Sequence, residues 1–187
     1  MRIGQRAARV TQREEELDSE QEEAIIDLSL PILDPLTTTT DGKTIAVVYL
    51  ARSADGSVSD FEPFIRSYRQ HDARIPHDLI IVRKGLHQRP GSQAALTGML
   101  NGIPHRAVDV LDDGFDIQAY LKVTPYLRHD RVCFLNTFSR IGAASWLESL
   151  NAPLDRHDVG MTGATGSYES LFTSLSFLHK VVWLTSV

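Results

Sequence analysis

The sequence predicts an α/β domain with a mostly parallel sheet and helices on both faces. Three observations lead there. Short β-branched runs recur along the chain, as in "TIAVVYLAR", "HDLIIVRKG" and "RVCFLN". Segments with apolar residues at helical spacing lie between them. Each run stops at a glycine or a polar turn, and strands alternating with helices close into a parallel sheet.

Residues 1–43 read differently from the rest. "REEELDSEQEEAIIDL" is acidic and helix-favouring, and "PILDPLTTTTDGK" carries prolines and a threonine run. Together they are expected to form an acidic arm, partly helical or disordered, followed by a linker. The domain is expected over 44–187.

The first strand is expected in "TIAVVYLAR", whose unbroken β-branched run suits burial on both faces. A helix follows in "SDFEPFIRSYRQH", with Ser59 or Asp60 as its cap and Phe61, Phe64, Ile65 and Tyr68 as its apolar face. "HDLIIVRKG" is the second strand, ended by Gly85. "GSQAALTGMLNGI" is a helix with Ala95, Leu96, Met99 and Leu100 inward. "HRAVDVLDD" gives a third strand over Ala107 to Leu111. "FDIQAYLKVTPYLR" is a helix capped near Asp116, and Pro125 should kink or end it. "RVCFLN" is the fourth strand and "ASWLESLNAP" a short helix. "DVGMTGATGSY" is expected to hold a fifth short strand and a glycine-rich turn.

Composition narrows the function. The 187 residues suffice for one α/β domain, and the net charge of −5 argues against a general nucleic-acid binder. The single cysteine, Cys133, rules out an internal disulfide and a cysteine-based zinc cluster, and it fits a reducing, cytoplasmic setting. No run approaches the roughly 20 apolar residues of a membrane span. The seven histidines show no metal-binding spacing and are expected mostly at the surface.

Parallel sheets bind ligands at the carboxyl ends of their strands. That rule selects "YLARSADG", "VRKG", "VLDDGFD" and "LNTFSR", with "GATGSY" beside them. In "DDGFDIQAY", Gly114 permits a sharp turn, and the first-turn amides after Asp116 either face an anion or belong to an ordinary capped turn. In "FLNTFSR", Asn136 and Ser139 either meet a sugar hydroxyl or tie down their own turn. Arg83 and Lys84 stand at a strand end where a diphosphate could meet them. "GATGSYES" could line a sugar or phosphate pocket or form a plain turn. It lacks the lysine of a P-loop and the glycine spacing of a serine-hydrolase elbow.

Taken in order, "IAVVYLAR", "DDGFDIQAY", "VCFLNTFSR", "SWLESL" and "VGMTGATGSYES" resemble the family-2 type of glycosyltransferase, over about Thr44 to Leu171. The likeness is nearest to a bacterial branch associated with cell-surface polysaccharide. It implies the GT-A fold, a Rossmann-like nucleotide-diphospho-sugar transferase domain. Beside a full domain of that type this chain reads as incomplete at its C-terminal end. The implied activity is transfer of a sugar from a nucleotide-sugar donor to a hydroxyl of a glycan or lipid-linked acceptor. Such an acceptor is compatible with peripheral membrane association.

By the same likeness, Leu50 and Arg52 lie near the base, and Asp112, Gly114 and Asp116 near the nucleotide or sugar. Asn136 and Thr137 occupy the donor loop, and Gly163, Thr165 and Ser167 form a sugar or phosphate loop. Relatives carry an Asp-x-Asp-like motif in the donor loop that holds Mg²⁺ or Mn²⁺. "NTFS" lacks it, so no metal ligand is assigned, and a basic group such as Arg83, Lys84 or Arg140 would stand in for the ion. An inverting transfer needs a carboxylate base, for which Glu169 is the candidate. The alternative reading is a non-catalytic module of the same fold that binds a nucleotide-sugar or serves as a scaffold.

Overall fold

Four apolar runs become four strands of one sheet: β1 (Ile45–Arg52), β2 (Asp78–Lys84), β3 (Arg106–Val110) and β4 (Arg131–Leu135). The computed structural model describes residues 30–53 and 55–164. All three strand pairings are parallel, and the order is β3-β2-β1-β4. The chain steps outward from β1 to β3, then returns to the far side of β1 to place β4. This is the arrangement of a Rossmann-like sheet, with its topological switch between β1 and β4. Residues 30–146 belong to one compact unit, and residues 147–164 to a second.

Alternation along the strands sets the two faces. Ala46, Val48 and Leu50 of β1, Ile80 and Val82 of β2, and Val108 and Val110 of β3 form one buried cluster. Helix α3 (Asp116–Val123) covers it with Ala119 and Val123. On the opposite face, Tyr49 stacks on Phe64 of helix α1 (Glu62–Gln70), with ring centroids 3.8 Å apart. Helix α2 (Pro90–Met99) is tied to α1 by Arg69, which donates to the carbonyls of Met99 and Asn101. Those carbonyls lie at a helix end, where no intrahelical donor reaches them.

The helix boundaries depart from expectation in small ways. Phe61, not Ser59 or Asp60, precedes α1, because those two residues close a turn in which the Phe61 amide bonds to Val58. Phe115, not Asp116, sits at the cap position of α3. Its amide donates to the Gln118 side chain at 3.0 Å, leaving the Asp116 carboxylate free to turn toward the sheet. Ala95 is exposed, because the inward stripe of α2 is only Leu96 with Leu100 just beyond it. After Val123 the chain tightens into a 3-10 turn at Thr124–Tyr126, where Pro125 cannot continue the α-helix.

The expected linker docks where it is described. Leu30 and Leu33 join the apolar cluster, and Leu33 bridges Leu127 in parallel. The Leu36 amide donates to Asp78 at 2.6 Å. Asp78 is 6% exposed and also holds Arg106 and His129. His129, expected at the surface, has a fully buried side chain whose Nε2 lies 3.0 Å from this carboxylate. Burial alone would raise the Asp78 pKa. The Leu36 amide and His129 outweigh it and bring the carboxyl below its ordinary range.

Helix α4 (Trp146–Asn151) is followed by a 3-10 turn at Ala152–Asp155. The fifth strand expected in "DVGMTGATGSY" is absent from its described part, 158–164. There the Val159 amide closes a turn onto Arg156, and the Thr162 hydroxyl donates to the Leu150 carbonyl at 2.7 Å. These bonds fold the segment back on α4 instead of extending it.

Candidate functional site

Three adjacent strands carry their core-facing alternation one step past the apolar cluster. In β1 the series Ala46, Val48, Leu50 continues to Arg52. In β2 the series Ile80, Val82 continues to Lys84. Beyond β3 the series Val108, Val110 continues to Asp112. A period of two puts all three polar residues on the same face, at the carboxyl edge. Register makes Arg52 and Lys84 direct neighbours.

Helix α3 begins over this row and adds Asp116. Arg52 Nε donates to Asp112 Oδ1 at 2.8 Å, and its Nη1 lies 3.9 Å from Asp116 Oδ1. Lys84 Nζ lies 3.7 Å from Asp112 Oδ1 and 3.8 Å from Asp116 Oδ1, and it donates to the Gly114 carbonyl at 2.8 Å. The Lys84 side chain is fully buried, whereas Arg52, Asp112 and Asp116 are 40%, 33% and 44% exposed. A buried ammonium is tolerable only when it is paired and hydrogen-bonded, and here both conditions hold.

Two glycines permit this geometry. Gly85 has φ +70, and a Cβ there would stand 2.6 Å from the Asp112 Cβ. Its amide bonds to the Val110 carbonyl at 2.9 Å, so β2 and the exit of β3 turn together. Gly114 has φ +56 and would direct a Cβ onto the Gln118 side chain. Outside the cluster, Arg83 pairs with Asp109 at 2.5 Å and Lys122 with Asp113 at 2.8 Å.

Of the residues expected near a ligand, Arg52, Asp112, Gly114 and Asp116 are brought together. Leu50 is not available: its side chain is fully buried in the core, and its carbonyl accepts from the Thr137 hydroxyl at 2.9 Å. Thr137 is itself buried and acts as a latch. The β1–β4 ladder ends at Tyr49 and Leu135. Beyond it, Thr137 Oγ1 also accepts from the Arg52 amide at 3.3 Å, and the Tyr49 hydroxyl donates to the Thr137 carbonyl at 2.8 Å. Burial raises the Tyr49 pKa far above its ordinary value, so this hydroxyl stays a donor.

Asn136 is exposed and serves its own turn. Its side-chain oxygen accepts from the Ser139 hydroxyl and its carbonyl from the Ser139 amide, both at 3.0 Å. Gly163 is exposed, whereas Thr165, Ser167 and Glu169 lie outside the described residues. Cys133 is half-buried on β4, and burial pushes its thiol up to about 11, far from a nucleophile's range.

Two neighbours were not given this place from sequence. Lys84 was expected beside a diphosphate, as one of three basic groups that would stand in for an ion, and not beneath two aspartates, although its alternation with Ile80 and Val82 already gave its face. Phe115 is 83% exposed between Gly114 and Asp116, and offers an aromatic surface beside the cluster. The loop after β1 closes the other side. Asp55 accepts from Ser53 and from the Ser57 amide, while Arg89 and Ser92 of the α2 entrance bond to the carbonyls of Ser53 and Gly56.

A groove of 410 Å³ lies elsewhere, lined by Glu62, Ile65, Arg66, Arg69, Gln70 and Met99. Its polar groups are long surface chains, and Arg69 is already engaged with the end of α2. The strand-end cluster has the stronger claim, because its polar groups converge on one point at the ligand-binding edge of a parallel sheet.

The cluster presents carboxylate acceptors and a guanidinium donor with their charges balanced. That array suits ligand hydroxyls, which both donate and accept. It does not suit a divalent metal, since both carboxylates already face two cations. Among the described residues no group of three metal-ligating side chains occurs, and no helix is long and apolar enough to cross a membrane. No protein-family model, no curated protein and no solved structure matches this chain.

Proposed function

We propose that this domain binds a nucleotide-sugar at the carboxyl ends of β1, β2 and β3, and that it is a glycosyltransferase of the GT-A type acting in cell-surface polysaccharide assembly. One observation supports this above the others. Arg52, Asp112 and Asp116 converge at the carboxyl edge of a parallel sheet in the order β3-β2-β1-β4. Brought to that edge, a ribose or hexose would donate its hydroxyls to the carboxylates and accept from Arg52. Phe115 would offer its ring to the base. Transfer then requires a carboxylate to take the acceptor proton. Glu169 is the one acid after Asp158 in the sequence and is the residue to substitute first.

A second reading, a binding or scaffold module without turnover, is favoured by the donor loop. Asn136 is engaged in its own turn and Thr137 in the latch on β1. Incubating the purified protein with UDP-, GDP- and dTDP-sugars and following release of the nucleoside diphosphate separates the two. Release that disappears in Asp112→Ala supports the transferase. Saturable binding without release supports the module, and no binding removes both.

A further inference from the structure

We propose that Lys84 is an internal counter-cation: it neutralises Asp112 and Asp116 from beneath, so the site takes its ligand without a divalent metal ion. The proposal rests on the strand-end cluster being the nucleotide-sugar site, and it goes beyond that reading by naming what balances the site's charge.

The geometry leaves a metal little to hold. Mg²⁺ and Mn²⁺ are bound through negatively charged oxygens that approach within roughly 2.0–2.2 Å. Asp112 Oδ1 already receives Arg52 Nε at 2.8 Å and has Lys84 Nζ 3.7 Å away. Asp116 Oδ1 has Lys84 Nζ at 3.8 Å and Arg52 Nη1 at 3.9 Å. A dication on either oxygen would stand against two positive charges, one of them buried and fixed, in a partly dehydrated place where repulsion is strong. Arg52 is exposed enough to swing aside. Lys84 is not: its side chain is fully buried and its ammonium is anchored on the Gly114 carbonyl.

The same geometry gives Lys84 a positioning role. By holding Gly114 it fixes the turn into α3, and so the direction of the Asp116 carboxylate. It stands between the two aspartates, 3.7 Å from Asp112 Oδ1 and 3.8 Å from Asp116 Oδ1, on their inner side, and leaves their outer lone pairs for ligand hydroxyls. A lysine here does continuously what a bound ion would do on arrival.

The test uses the full chain and Mn²⁺ alone, followed by the spin-resonance signal of free Mn²⁺. Wild type is expected to take up no stoichiometric Mn²⁺, and any uptake that survives Asp112→Asn lies at another place and also agrees. Uptake of one Mn²⁺ that is lost in Asp112→Asn overturns the proposal. Lys84→Met removes the counter-cation with little change of volume. Mn²⁺ is then expected to raise the melting temperature of this variant by about 3 °C or more while leaving wild type unmoved. A folded Lys84→Met variant that gains nothing from Mn²⁺ counts against the proposal. If the variant does not fold, titration of wild type with a UDP-sugar in EDTA and in Mn²⁺ decides. Affinities within about twofold of each other support the counter-cation. Binding only with Mn²⁺ overturns it while keeping the nucleotide-sugar reading. No binding in either buffer removes that reading, and the titration with Mn²⁺ alone still decides the role of Lys84.

Discussion

The Lys84 ammonium donates to the Gly114 carbonyl at 2.8 Å, so the last residue of β2 holds the turn that opens α3. One buried side chain thereby joins a strand end, a glycine turn and two carboxylates. Replacing Lys84 with Met strands the carbonyl and leaves the aspartates facing each other with only Arg52 between them. The aspartates are a third or more exposed, so the cost is mainly that of the stranded carbonyl, about 1–2 kcal/mol. Urea unfolding of Lys84→Met should show a loss of that order with little change in slope. A loss within error of zero would show that the ammonium is not structurally engaged.

Gly85 is the second test of the same edge. Alanine there must adopt φ +70 with its Cβ 2.6 Å from the Asp112 Cβ. Strain and displacement of Asp112 together should cost about 2 kcal/mol or more. Gly98 in α2 is a control, since a Cβ there meets nothing within 4 Å. Gly98→Ala should stabilise by about 0.5 kcal/mol, because it removes only unfolded-chain freedom. Equal melting shifts in the two variants would contradict the tight packing of Gly85 on Asp112.

Thr137 fastens β4 to the end of β1 through one hydroxyl that donates to Leu50 and accepts from Arg52. Thr137→Val keeps the shape and removes both bonds, at a cost of about 1–2 kcal/mol. Thr137→Ser keeps the hydroxyl and should retain most of the stability. If Val and Ser behave alike in denaturant titrations, the latch is packing and not hydrogen bonding.

Asp78 closes the opposite end of the same core face, where the Leu36 amide, His129 and Arg106 meet it. Its carboxyl titrates below the ordinary range in the folded protein. The unfolded chain therefore binds this proton first as pH falls. The stabilisation is complete above the unfolded value of about 3.9, and it is lost as pH drops through the folded value. Asp78→Asn should be less stable than wild type at neutral pH, and the gap should narrow below about pH 4. A gap that stays constant from neutral pH down to acid unfolding would show that the charge of Asp78 is not what holds residues 30–37.

Much of the fold was legible in the sequence. The four strands and three longer helices follow from β-branched runs, helical spacing and the stops at Gly85 and Pro125. The fifth strand failed because Val159 and Met161 offered apolar character without partners to extend them, and local turn bonds prevailed. The docking of Leu30 and Leu33 was hidden by the prolines and threonines around them, which resemble a linker unless one knows that a sheet face lies open nearby.

The candidate site was half legible. The rule that ligands bind at carboxyl ends selected the segments, the family resemblance implied Arg52, Asp112, Gly114 and Asp116 within them, and the fold gathers these four. The resemblance also implied Asn136 and Thr137, whose polar groups are engaged in a turn and a latch. Residue type alone could not separate these uses, since an amide or hydroxyl at a strand end serves either. Lys84 was underweighted because a lysine at a strand end usually faces water. Only the alternation Ile80, Val82, Lys84 tells that this one faces inward.

The most direct measurement is calorimetric titration of the full chain with UDP-, GDP- and dTDP-sugars, repeated on Asp112→Asn and Phe115→Ala. Phe115 is 83% exposed, so its removal should leave stability unchanged. Saturable binding of one donor class is expected for wild type. Affinity should fall about tenfold in Phe115→Ala, in line with loss of one stacked base, and further in Asp112→Asn. Absence of saturable binding by wild type to any of the three, or affinity unchanged in Asp112→Asn, would contradict a nucleotide-sugar site at the carboxyl ends of β1, β2 and β3.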